Sequence, residues 1–178
     1  MVKLDYYSYF LLLLLIAAVF MDFQYNRIFN GWILFGILIG LFFRVRENGL
    51  YGIYGAGISM ALSFGILFPV YKIGGIGAGD VKLFVMIGSF VSADFLLHAI
   101  LYSFVIGGAL SIGKIVLEEN FRERMQYFLS YLRDVFCKRQ WKFYGEDMIE
   151  NYRSYQSNKI HFALPVLIGT ALGLGGLF

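Results

Sequence analysis

Cysteine occurs once in 178 residues, at Cys137. That excludes an internal disulfide and a paired-cysteine zinc site. Histidine occurs twice, at His98 and His161, too far apart in sequence to form a helical metal pair. No metal and no cofactor are expected. Charge is scarce as well: 15% of residues are charged, against about 25% in ordinary globular domains. The net charge of +3 is small, and no nucleic-acid partner is expected. What the chain has in quantity is apolar surface, with 59% hydrophobic residues. A soluble protein of this make-up could not cover that surface, so the lipid bilayer is the expected solvent.

A bilayer-spanning helix needs about 20 mostly apolar residues, and backbone in lipid must satisfy its own hydrogen bonds. Candidate spans fall at about 5–22, 29–43, 50–71, 81–93, 95–117 and 160–177. The expected fold is all-α and polytopic, with about six transmembrane helices. The first run, YYSYFLLLLLIAAVFM, has no clear small-x-small cleavage site after it and reads as a retained span. The fourth span is the weakest. Asp94 interrupts the apolar stretch Val81–Leu117, which suggests two helices with a tight turn near Ser92–Asp94; a half-helix is the alternative. Gly36–Gly40 and Gly169–Gly173 have the small-xxx-small spacing of close helix packing.

With six spans the connections alternate between two faces. One face receives Arg27, Lys72, Lys82, Lys114 and the eight basic residues of 118–159, twelve in all; the other receives Lys3, Arg44 and Arg46. The positive-inside rule makes the first face cytoplasmic and puts both termini outside. The expected domain organisation is one membrane-embedded unit over 1–178 with a partly helical cytoplasmic insert at about 118–159. In that insert Phe121, Met125, Phe128, Leu132 and Val135 recur at helical spacing, so residues 117–140 read as an amphipathic helix on the inner membrane surface.

Two acids stand at span ends on the cytoplasmic face. Asp22 closes the first span, in FMDFQYNRIFN; Asp80 opens the fourth, in GGIGAGDVKLF. An Asp at a helix centre costs about 2.5–3.5 kcal/mol on insertion scales, so neither is expected to face lipid. Singly, Asp22 reads as an interfacial anchor beside Arg27 and Asp80 as a helix N-cap. Together, at matching depth, they read as a pair. The glycines before Asp80 do not make a phosphate cradle: a P-loop needs Lys and then Ser or Thr after its last glycine, and here Asp80 and Val81 follow.

Two carboxylates at close range share one proton and titrate as a unit. That state suits peptide hydrolysis, with the ionised Asp activating water and the protonated one supporting the oxyanion and leaving nitrogen. A helix start favours the anion, so Asp80 is expected to be the ionised member. Gly77 and Gly79 lack a Cβ and would leave room for a peptide backbone. Lys82 does not face Asp80 two residues away and is expected to snorkel to the interface; tuning of the pair is its alternative role.

These residues resemble the type IV prepilin peptidases. Gly77-Ala78-Gly79-Asp80 is a GxGD motif, and GAGDVKLF is similar to that family's motif region. The family's other acid sits in a pattern like D-x5-I-P-N; here Asp22, Ile28 and Asn30 match, with Phe29 where Pro is usual. HFALPVLIGTALG resembles the start of the family's last helix, with Ala163 and Pro165 in place. The resemblance implies an inner-membrane aspartic endopeptidase that removes the basic leader of prepilin-like precursors. It implies Asp22 and Asp80 as the catalytic pair, with Gly77 and Gly79 completing the motif; Lys82 and Asn30 are, apart from the resemblance, candidates for a modulating role. It further implies the short form that does not N-methylate its product, as in tight-adherence pilus systems or archaeal preflagellin peptidases. Two rivals remain at this level: a small transporter using paired acids as a proton relay, and a membrane scaffold needing neither acid. Oligomeric state is left open.

Overall fold

The computed structural model describes residues 6–117 and 161–176, with backbone only for 114–117. All described elements are helices: α1 Tyr6–Tyr25, α2 Asn30–Asn48, α3 Leu50–Lys72, α4 Ala78–Phe90, α5 Ala93–Leu117 and α6 Ala163–Leu174. The expected insert at 118–159 and its amphipathic helix lie outside the described residues.

Helices α1 and α3, and α5 over Ala93–Gly113, are long and apolar enough to cross a membrane. Helix α2 has the length, with 19 residues, but Arg44, Arg46 and Glu47 occupy its last turns. The fourth helix is the half-helix given as the alternative, and the sixth is shorter than the span expected of it. At 13 and 12 residues they reach only about 18–20 Å, short of the ~30 Å hydrocarbon core.

The reason for the short fourth helix lies in where it sits. Helix α4 contacts all five others and packs most extensively against α3 and α2. Val81, Leu83, Phe84, Met86, Ile87, Gly88, Ser89 and Phe90 are buried. A helix apolar on every side is a buried helix, and here the burial is in protein. The outer helices turn large apolar side chains outward, among them Leu13, Ile16 and Phe20 of α1, Leu34, Leu38 and Phe42 of α2, and Leu101 and Val105 of α5. So continuous an apolar exterior suits lipid rather than water.

Small residues let α4 into the centre. A Cβ on Gly36 would run into Met86, and one on Gly40 into Ser89 and Phe90. On α6, a Cβ on Gly169 would meet the Ser103 backbone nitrogen of α5 at 2.9 Å. The expected glycine packing is therefore present at both motifs, with Gly173 buried beside its partner.

The tight turn expected near Ser92–Asp94 occurs at Val91 and Ser92. The Phe95 N–H donates to Ser92 Oγ at 3.4 Å, capping α5. Helices α2 and α3 are joined by Gly49 alone, whose φ of +59° is open to glycine and strained for most other residues. This alternation gathers the α1–α2 turn, the α3–α4 turn and the start of α6 at one end of the bundle. Arg27, Lys72 and Lys82 lie at that end, and Arg46 lies at the other.

Candidate active site

Helix α1 stops where Asn26 takes φ +52° and its N–H donates to the Asp22 carbonyl at 2.9 Å. Asparagine tolerates this left-handed cap. The stop leaves Asp22 in the last turn of α1, partly buried. Residues 26–29 then turn the chain into α2. Phe29 holds φ −70° and ψ 134° as the N-cap of α2. A proline ring imposes that φ, so Phe29 adopts the shape that Pro would have set.

The second acid is positioned by the glycine run. Gly74, at φ +83°, turns the chain out of α3, and the buried Ile76 pins the loop. Gly77 is the N-cap of α4 and Asp80 its third helical residue. Asp80 is thus not the N-cap that the sequence suggested. Its Oδ2 accepts from the Gly77 N–H at 3.1 Å. This is the reciprocal half of a capping box; glycine has no side chain to supply the other half. A Cβ on Gly77 would lie 3.0 Å from that same oxygen, whereas one on Gly79 would only touch Ile28, at 3.7 Å. The internal need for glycine is therefore at position 77.

The turn after α1 and the turn before α4 meet residue by residue. The Asp22 carboxylate acts electrostatically on Asp80. Ile28 packs over Gly79. Lys82 Nζ donates to Asn30 Oδ1 at 2.8 Å, joining the first turns of α2 and α4. Lys82 therefore has a definite protein partner, beyond the interfacial snorkelling expected of it. All six residues singled out in the sequence lie at one end of the bundle.

Burial pushes the Asp80 carboxyl up to about 6; the Gly77 N–H opposes this and the neighbouring Asp22 charge adds to it. The helix start alone would have lowered it. The helix start does favour the anion, but by less than desolvation disfavours it.

One residue at the site was not anticipated. His161 Nδ1 lies 3.2 Å from Asp22 Oδ2, and its ring stacks on Phe23 with centroids 4.3 Å apart. It is 139 positions from Asp22. The only available signal was its place immediately before the small-residue and proline start of α6.

No curated protein and no solved structure matches the chain. A model of the type IV leader peptidase family matches residues 9–112, which include Asp22, Asn30, Gly77, Gly79, Asp80 and Lys82 and exclude His161. The match takes in more than half of a chain whose described elements are all helices, and the chain belongs to the type IV leader peptidase family.

Proposed function

We propose that this chain is an aspartic endopeptidase of the inner membrane. It removes the short basic leader of prepilin-like precursors at the cytoplasmic face and does not N-methylate the product. The whole chain, 1–178, is read as one peptidase domain carrying an insert at 118–159. What supports the reading is the placement of Asp22 and Asp80 at the same end of the bundle, where Ile28 packs over Gly79 and burial, with a smaller contribution from the Asp22 charge, raises the Asp80 carboxyl to about 6. The excess of basic residues on the same side supports the cytoplasmic orientation.

The chemistry follows from the pair. Asp22 takes a proton from water as the water oxygen bonds to the scissile carbonyl carbon. Asp80 gives its proton to the carbonyl oxygen. The tetrahedral diol then collapses: the C–N bond breaks, the nitrogen leaves with a proton returned from Asp22, and one diol hydroxyl gives its proton back to Asp80 as the carboxyl product forms. The ordinary range for such acid–base assistance is about 10²–10⁴-fold per group. The substrate's apolar segment would lie in the bilayer beside the enzyme, with its leader charges at the inner surface.

The test is cleavage of a co-expressed prepilin-like precursor, read as a gel shift, for wild type, Asp22→Asn and Asp80→Asn at matched membrane levels. The expected result is loss of the shift in each single variant. Cleavage that survives either substitution would return Asp80 to the role of a helix-start residue and remove the dyad.

A further inference from the structure

We infer that His161 is a positioning residue for the peptidase reaction, orienting the Asp22 carboxylate from the segment that leads into α6. The inference rests on the reading of Asp22 as the general base. Three contacts carry it. His161 Nδ1 is 3.2 Å from Asp22 Oδ2. The imidazole stacks on Phe23 at 26° between planes. The next residue, Phe162, packs on Phe104 with ring centroids 5.3 Å apart and against the bare backbone of Gly107, and Ala163 is fully buried.

The backbone of His161 is thus held by α5 and α6, and its ring plane by α1. An ionised carboxylate only accepts hydrogen bonds, so the ring presents N–H at Nδ1. That bond occupies Oδ2 and stops rotation of the carboxylate. On this reading Oδ1 is the oxygen that takes the proton from water. Asp22 stands at the end of a helix, and no other side-chain hydrogen bond to its carboxylate is seen among the described residues. Without His161 the base would sample orientations from which it cannot reach the attacking water. Such a loss falls on the chemical step, because His161 holds the base and not the substrate.

The region that identifies the family, 9–112, contains neither His161 nor α6. His161 is also the first described residue after 118–160. The proposed site therefore takes its orienting group from a separate part of the chain.

The experiment compares purified His161→Phe and His161→Asn with wild type, using a prepilin-like precursor and measuring kcat and KM separately. Phe retains the stack on Phe23 and removes the hydrogen bond. Asn can present an amide N–H near the position of Nδ1. Losing a hydrogen bond to a charged group predicts a fall in kcat of about 10- to 100-fold for His161→Phe, with KM within about twofold, and substantial recovery in His161→Asn. The inference is overturned if His161→Phe keeps its kcat, if the loss falls on KM, or if His161→Asn falls as far as His161→Phe. Asp22→Asn and Asp80→Asn are run in parallel. If both are inactive while His161→Phe works at full rate, only the positioning role fails. If either still cleaves, the dyad fails and this inference fails with it.

Discussion

Asp80→Asn should inactivate the enzyme and stabilise it. Burial raises the Asp80 carboxyl from 3.8 to about 6, a shift of roughly two units at about 1.4 kcal/mol each. Because the folded-state value is the raised one, the unfolded chain loses its proton first as pH rises. Stability then declines between pH 3.8 and about 6 and is level above that. The full penalty at neutral pH is about 3 kcal/mol; the solvent contact that Asp80 retains brings the expected range to about 1–3 kcal/mol. Asparagine carries no charge, and its Oδ1 can still accept from the Gly77 N–H. Thermal unfolding in detergent should give a midpoint several degrees above wild type at about pH 7.5. The gain should vanish below the unfolded carboxyl value, where wild-type Asp80 is protonated in both states. A lower midpoint at neutral pH, or a gain that does not change with pH, would refute the account of Asp80 as a buried acid held at a cost.

Four further outcomes follow from the same geometry. Gly77→Ala should lower activity more than Gly79→Ala in the cleavage assay, because only at position 77 would the new methyl group crowd the Asp80 carboxylate. Phe29→Pro should fold and cleave like wild type, since φ at Phe29 is already −70°; failure to accumulate in membranes would count against the turn described here. Gly40→Val should destabilise by about 1–3 kcal/mol through overpacking against Ser89 and Phe90, read as a lower unfolding midpoint. Asn30→Ala removes the acceptor of Lys82 at an exposed site and should cost no more than about 1.5 kcal/mol, with cleavage retained at a reduced rate.

Much of the site was legible because its parts are local. GxGD is four adjacent residues, and Asp22 shares its side of the membrane through the count of spans. The upward shift of the Asp80 carboxyl was not legible. The helix start acts on Asp80 through one turn of chain, but desolvation depends on what three-dimensional packing leaves around the carboxyl. Whether the fourth segment was a full span or a half-helix stayed open for a related reason. An all-apolar segment has the same composition whether it is surrounded by lipid or by helices, and only the glycines of α2 hinted that a partner would come close. His161 was missed because it meets Asp22 through α6, with 118–160 intervening, and no spacing rule reaches that far.

Helix α4 owes its height in the bundle to protein neighbours: beyond its first turn nearly every residue is buried. Helix α1 has one apolar face turned outward, with Leu13, Ile16 and Phe20 more than half exposed. A lipid-facing helix tilts or shifts to match the thickness of the hydrocarbon around it, at fractions of a kcal/mol per Å. The two acids thus answer to different references, Asp80 to the protein and Asp22 in part to the bilayer. Membrane thickness becomes a setting on their alignment. Vesicles of graded acyl-chain length should give a cleavage rate with a maximum, and a flat profile would show that α1 is clamped as firmly as α4.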